Sequence, residues 1–386
     1  MSADPVIYLV AGEPSGDRLG GALMRALQRQ APGVSFAGVG GQEMQAAGLQ
    51  SLFDMGDLTV MGITEVVPRL PTILRRMRET VSDILAKRPA ALITVDAPSF
   101  GLRVAAKVRA AAPQIRTIHY VAPSVWAWRP GRAKHMARFV DHVLALLPFE
   151  PPYMTVAGMS CDFVGHPIAG LPPVTNAAAK AWLEAAGVAG PLLVLAPGSR
   201  RGELARLGPV FRETVGALAE RRPDLSVAIP IAETVAAEAT ALAERLPVNT
   251  LVLAPSTGEE AKRVAFAAAD AALVASGTIT LEMAAARTPH VSCYKTSALT
   301  AFIARHLIRV DTGHLVNLVM DERIVPERLQ EDCTPSKILP PLDALLEGGP
   351  EAEAQCVAFD RALERLGRGG PDPAERAAAS VLSKLG

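Results

Sequence analysis

The sequence predicts an α/β protein made of two Rossmann-like, doubly wound domains facing a central cleft. Three observations predict it. The apolar run Val6–Ala11 breaks into Gly12-Glu13-Pro14-Ser15-Gly16-Asp17, after which Leu19, Ala22, Leu23, Ala26 and Leu27 recur at helical spacing. Half a chain later Leu192–Ala196 breaks into Pro197-Gly198-Ser199-Arg200-Arg201-Gly202, and Leu204, Leu207 and Phe211 mark a second helical face. A buried strand, a glycine-bearing turn and a helix form the opening unit of a doubly wound domain. The other strand-like runs are continuous in aliphatic and β-branched residues, as strands covered on both faces are.

The elements follow in order. In the first half, strands are expected at Val6–Ala11, Val34–Val39, Ala91–Val95, Thr117–Val121, Val143–Leu146 and Asp162–Val164. Helical patterns between them make the connections βαβ crossovers, so the sheet should be parallel. Gly165-His166-Pro167 and Leu171-Pro172-Pro173 end the series. The second half alternates again through Leu192–Ala196, Ser226–Ile229, Thr250–Leu253, Ala271–Ala275 and Val291–Tyr294, and is all helical from Pro335. The expected division is an acceptor-binding domain at 1–167 and a nucleotide-sugar-binding domain at 168–370, with a terminal helix at 371–386 packing back on the first.

At 386 residues the chain suits two domains of ordinary size. Its 39 basic and 39 acidic side chains cancel, so no global field favours nucleic acid, and none is expected as a partner. Cys161, Cys293, Cys333 and Cys356 fit neither a metal motif nor a disulfide framework, which suits a reducing cytosol. Residues 6–11 are too short for a signal peptide, and no apolar stretch approaches the roughly 20 residues that span a bilayer. Any membrane contact must be peripheral. The seven histidines show no ligand spacing, so no metal site is expected, and the first turn lacks the Gly-x-Gly-x-x-Gly of nicotinamide enzymes.

Parallel sheets bind ligands beyond the carboxyl ends of their strands, which selects a small polar set. Asp96 ends the run Ala91–Val95 and is a candidate general base; the competing expectation is an N-cap for the helix around Leu102–Ala111. Glu13 and Asp17 follow the first strand and are further candidates, with capping the first helix or holding a sugar hydroxyl as the alternatives. Gly198, Ser199, Arg200 and Arg201 offer amide groups at a helix start beside guanidinium groups, the components of a diphosphate site. Ser276, Gly277 and Thr278 repeat that chemistry, and Glu282, one turn on, is placed to accept both hydroxyls of a ribose. His119 reads as a satisfied buried histidine, and Trp126 and Trp128 as anchors of a loop on the sheet edge.

The segment Leu58–Leu85 is rich in apolar residues and arginine. Val60, Met61, Ile63, Val66, Val67 and Leu70 are expected ahead of a helix whose stripe is Ile73, Leu74, Met77, Val81, Ile84 and Leu85. The stripe suits a core. The preceding apolar loop, with Arg69, Arg75, Arg76 and Arg78 close by, fits a surface on lipid and anionic headgroups, and Val66, Val67 and Leu70 are the expected contacts.

Several of these segments together resemble bacterial lipid-A-disaccharide synthases. They are Ala11-Gly-Glu-Pro-Ser-Gly-Asp17, Val60-Met-Gly-Ile63, Val95-Asp-Ala-Pro98, the Trp126-Ala-Trp128 block with its flanks, Leu147-Pro-Phe-Glu150, Gly165-His-Pro167, Pro197-Gly-Ser-Arg200 and Ser276-Gly-Thr278. The resemblance runs from the first strand to about Pro335. It implies a GT-B glycosyltransferase that needs no metal or other cofactor and from which UDP departs. It further implies transfer of 2,3-diacylglucosamine from its UDP carrier to 2,3-diacylglucosamine 1-phosphate, with inversion, giving a β(1→6) disaccharide. Carried over by position, Asp96 matches the family's essential aspartate, Arg200 an arginine at the nucleotide site, and Asn317 an asparagine needed for activity. Arg201-Gly202 stand where the family has Gly-Ala, so the choice between Arg200 and Arg201 stays open. A cytoplasmic enzyme resting on the inner leaflet of the inner membrane is expected, and the sequence leaves open whether it works as a homodimer. The alternatives are a UDP-sugar epimerase of the same plan and a non-catalytic nucleotide-sugar-binding protein.

Overall fold

The computed structural model describes residues 5–58, 63–96, 98–297, 301 and 310–385, with 63–68 described by backbone alone. It divides into two compact units, Met1–Gly170 with Leu366–Gly386, and Leu171–Arg365.

The first unit opens with β1 (Val6–Ala11), α1 (Pro14–Gln30), β2 (Ser35–Val39), α2 (Gln42–Ala46) and α3 (Ile63–Lys87). It continues through β3 (Ala91–Val95), α4 (Gly101–Ala111), β4 (Arg116–Tyr120), α5 (Gly131–Met136), β5 (His142–Ala145), α6 (Pro151–Val156) and β6 (Ser160–Phe163). All pairings are parallel, in the order β2-β1-β3-β4-β5-β6. Alternate residues of the same strands feed two cores. Tyr8, Val10 and Leu92 pack with Met77 and Ile84 of α3 and Val104 of α4, while Ile7, Leu9 and Ile93 pack with Leu23 and Leu27 of α1. Burial on both faces is why these strands read as unbroken apolar runs.

The apolar stretch expected ahead of the α3 helix is partly helical itself, since α3 already begins at Ile63. Val60 and Met61 lie outside the described residues, as do the side chains of Val66 and Val67. The stripe beyond is core: Met77 and Ile84 are buried, and Ile73, Val81 and Leu85 pack against them. Leu70 and Leu74, one turn apart, are 42% and 43% exposed.

The second unit comprises α7 (Asn176–Ala185), β7 (Leu192–Ala196), α8 (Arg201–Arg221), β8 (Ser226–Pro230), α9 (Ala236–Ala243), β9 (Asn249–Leu253) and α10 (Glu259–Ala267). There follow β10 (Ala271–Ala275), α11 (Ile279–Ala286), β11 (His290–Tyr294), α12 (Leu315–Met320), β12 (Glu327–Leu329), α13 (Pro335–Leu346) and α14 (Pro350–Arg365). Its parallel sheet runs β12-β11-β10-β7-β8-β9. The sequence does not announce β12, because three residues, two of them charged, carry no apolar run; pairing of Glu327 with Ser292 and Leu329 with Tyr294 places it.

The last helix, α15 (Pro373–Ser383), belongs to the first unit. Ala377, Ala378 and Val381 join the core beside α1, Arg376 donates to the Phe163 carbonyl at 2.6 Å, and Ser380 Oγ meets His142 Nε2 at 2.8 Å.

Candidate active site

Each sheet has one point where its strand order reverses, and ligands of doubly wound sheets bind there. In the first unit the chain moves outward from β1 to β2 on one side and from β3 to β6 on the other, so the reversal lies between β1 and β3. Ala11 pairs with Val95, so the two strands end level. Beyond them Ser15 Oγ donates to Asp96 Oδ2 at 2.7 Å. Gly16 makes this contact attainable: a Cβ there would lie 2.9 Å from the Val95 carbonyl oxygen, so only glycine lets α1 seat against the end of β3.

Asp96 does not cap a helix. The N-cap of α4 is Phe100, which offers no side-chain cap, and Asp96 stands four residues earlier with a left-handed φ of 50°. Val121, at the end of the neighbouring β4, has φ 84°, which is costly for a β-branched residue. Backbone strain gathered at the ends of two adjacent strands is a feature of functional sheet edges. Beneath them His119 is buried and its Nδ1 meets Thr94 Oγ1 at 2.8 Å; burial lowers its pKa to about 4, with the Asp96 charge opposing that shift, so the ring is neutral.

Asp17, expected among the catalytic carboxylates, has another task. It is 5% exposed and accepts from the backbone N–H groups of Gly41 at 2.7 Å, Glu43 at 2.9 Å and Met44 at 3.1 Å. One turn into α1 its side chain has rotated away from the strand end and caps the short helix α2. Glu13 occupies the N-cap position of α1 without a side-chain cap bond, with Pro14 following, and is exposed at the strand end.

The loop after β4 is held by Glu150. This carboxylate is 3% exposed, accepts from Leu146 and Leu147 N–H at 3.1 and 3.0 Å, and receives Trp126 Nε1 at 3.4 Å. Burial raises its pKa to about 7. Trp126 also meets Phe149 edge to face at 5.2 Å, and Arg129 sits 4.6 Å over the Trp128 ring. Sequence reasoning missed the part played by Glu150; its place five residues after Ala145, the last residue of β5, was the available signal.

In the second unit the order reverses between β7 and β10, so the two candidate phosphate turns stand side by side. Gly198 has φ 115°, and a Cβ there would meet Glu203 at 2.7 Å. Glu203 reaches back to accept from Ser199 N–H at 3.1 Å and pairs with Arg200 at 3.4 Å, while Arg201 pairs with Glu238 at 3.1 Å. The Ser199 amide, expected to face an anion, is therefore held by a carboxylate. The first-turn N–H groups of Arg201 and Gly202 remain, as no helix pairs these internally. At the neighbouring turn Ser276 N–H donates to Cys293 O at 2.8 Å, and Thr278 is the N-cap residue of α11. Glu282 sits 3.2 Å from Lys262.

Asn317 lies in α12. It is 1% exposed; its Oδ1 accepts from Ile324 and Val325 N–H at 3.1 and 2.9 Å, and its Nδ2 donates to Val325 O at 3.0 Å. Its polar atoms thus fold the turn after α12. Glu327, unforeseen because β12 was, accepts from Gly313 N–H at 3.0 Å and from Thr312 Oγ1. That holds the 312–313 segment beside Ser276, whose Oγ is 3.8 Å from a Cβ built on Gly313. Among the described residues no group of three or more His, Cys, Asp or Glu is placed to hold a metal ion.

The lipid-A-disaccharide synthetase family model matches residues 7–380. The lipid-A-disaccharide synthase of Ruegeria pomeroyi is 50% identical over 385 residues, covering 98% of this chain and 95% of the relative. That of Paramagnetospirillum magneticum is 46% identical over 381 residues, covering 98% and 97%. Among solved structures, a glycosyltransferase from Rickettsia africae superposes with a TM-score of 0.59 at 10% identity, covering 99% of this chain and 98% of that one. A UDP-GlcNAc 2-epimerase from Neisseria meningitidis bound to UDP-GlcNAc gives 0.61 at 10% identity, covering 98% and 99%. Both show a GT-B type fold, which transferases and epimerases share.

Proposed function

The chain belongs to the lipid-A-disaccharide synthetase family and is a hexosyltransferase of lipid A biosynthesis, and on that premise we propose how its two units divide the reaction. The second unit holds UDP-2,3-diacylglucosamine by its diphosphate at the turns 198–201 and 276–278, with Glu282 on the ribose. The first unit presents 2,3-diacylglucosamine 1-phosphate with its 6-hydroxyl at Asp96. Family membership over nearly the whole chain favours this over an epimerase, a choice the shared fold cannot make.

Asp96 takes the proton of the 6-hydroxyl as that oxygen attacks the anomeric carbon; the bond from this carbon to the diphosphate oxygen breaks, and UDP leaves with the electron pair. Attack opposite the leaving group inverts the centre and gives the β(1→6) disaccharide 1-phosphate. The contact that carries the assignment is Ser15 on Asp96: one carboxylate oxygen is oriented by a hydroxyl and the other is left for the substrate. Negative charge growing on the diphosphate meets the start of α8 and the guanidinium groups of Arg200 and Arg201.

The substrates carry acyl chains, so the enzyme must reach lipid. No helix of the described residues is long and apolar enough to cross a membrane. The exposed Leu70 and Leu74 of α3 make this helix the favoured contact with the inner leaflet. Arg76 is not part of that surface: it pairs with Asp57 and Glu79, both at 2.7 Å, and lies 4.6 Å over Phe53.

Incubation of the purified chain with both lipid precursors should release UDP and disaccharide in equal amounts. Epimerised UDP-sugar formed without acceptor would overturn the assignment.

A further inference from the structure

A groove between α4 and α5 of the first unit has no assigned role. It encloses about 210 Å³, and its lining includes Pro98, two residues beyond Asp96, and Pro123 in the loop after β4. Leu102, Ala106, Met136 and Phe139 make its wall apolar. Arg103, Arg132 and His135 stand on its rim, and among the described residues no carboxylate pairs with any of them. Arg103 and Arg132 thus bring two guanidinium groups to one groove with no carboxylate between them.

A pocket below the roughly 300 Å³ of whole-ligand sites holds part of a ligand. Its two chemistries name that part. Paired guanidinium groups beside an imidazole suit a phosphate monoester, which arginine grips through parallel N–H bonds. The apolar wall suits the start of a hydrocarbon chain. We propose that this groove is the subsite for the acceptor's anomeric phosphate, bound by Arg103 and Arg132 with His135 beside them, with the adjoining acyl chain entering between α4 and α5. The assignment rests on the acceptor lying in the first unit and specifies which of its groups is recognised.

The test is equilibrium binding in neutral-detergent micelles, read from the fluorescence of Trp128, whose ring lies 6.0 Å from Arg132. Wild type should bind 2,3-diacylglucosamine 1-phosphate at least tenfold more tightly than the same lipid without phosphate. The double variant Arg103→Ala/Arg132→Ala should lose that preference, while Arg103→Lys/Arg132→Lys, which keeps the charges but not the parallel N–H bonds, should retain part of it. Arg103 is exposed and Arg132 half-buried, so the fold should hold, and circular dichroism checks it. Equal binding of the two lipids by wild type would overturn the proposal, as would an unchanged preference in the alanine variant. Turnover with both precursors, measured alongside, separates the two claims: absent turnover with phosphate-selective binding sinks the transferase assignment and leaves the subsite standing.

Discussion

Ser15 and Asp96 are 81 positions apart in the chain and 2.7 Å apart in space. The hydroxyl comes from the first turn of α1, the carboxylate from the end of β3, and the placement of β3 beside β1 joins them. The bond fixes one carboxylate oxygen and thereby the direction of the other.

Asp96→Asn preserves this shape and removes the base, so kcat should fall by about two orders of magnitude or more. Ser15→Ala should cost far less, about tenfold, because it loosens the carboxylate without removing it. Steady-state UDP release measures both. Near-normal kcat in Asp96→Asn would shift the role to Glu13.

Asp17 and Asn317 should behave as structural residues. Asp17→Ala leaves three backbone donors without their acceptor, and Asn317→Ala unpairs two N–H groups and a carbonyl. Each should destabilise its unit by about 2 kcal/mol or more. In thermal melts the transition should move down, while kcat per folded molecule stays within a few-fold of wild type. A large kcat loss at unchanged melting temperature would restore the catalytic assignment.

Activity should survive a chelator, because the diphosphate is expected to be met by α8 and its arginines. Arg200→Ala and Arg201→Ala, compared by KM for the UDP-sugar, decide which guanidinium takes the larger share. A requirement for added magnesium would contradict this account.

Leu70→Ser/Leu74→Ser should weaken sedimentation with phosphatidylglycerol vesicles by at least tenfold, since each exposed leucine entering the acyl boundary is worth about 1.5 kcal/mol or more. Stability should hardly change, as both side chains are largely in water. Unchanged sedimentation would remove α3 from the membrane contact.

Acid should destabilise the fold progressively as pH falls below 6.5. Burial lowers the pKa values of His119, His142 and His290 from 6.5 to about 4. A base with a lowered folded-state pKa stabilises the fold above its unfolded value, and that contribution is lost as pH falls from 6.5 towards 4. The melting temperature should therefore drop steeply across that window, and His142→Gln should flatten part of the slope. A profile that stayed level between pH 7 and 4 would contradict the assigned states.

Periodicity and turn residues were enough to determine two parallel α/β units and the strands that carry their candidate sites. Those signals are local: a run such as Ala91–Val95 reads as a doubly covered strand whatever lies beside it. The resemblance through Gly12–Asp17 and the Trp126–Trp128 block likewise needed only neighbours in the chain. Tertiary structure alone decided which polar group does what. Glu13, Ser15, Asp17 and Asp96 all follow strand ends, yet Asp17 meets the amides of α2 while Asp96 meets Ser15. Asn317 is held by a turn seven and eight residues later, and Arg103 and Arg132 converge from two helices on one groove. A polar atom's partner depends on strand order and helix packing across long sequence separations, and no local pattern encodes those distances.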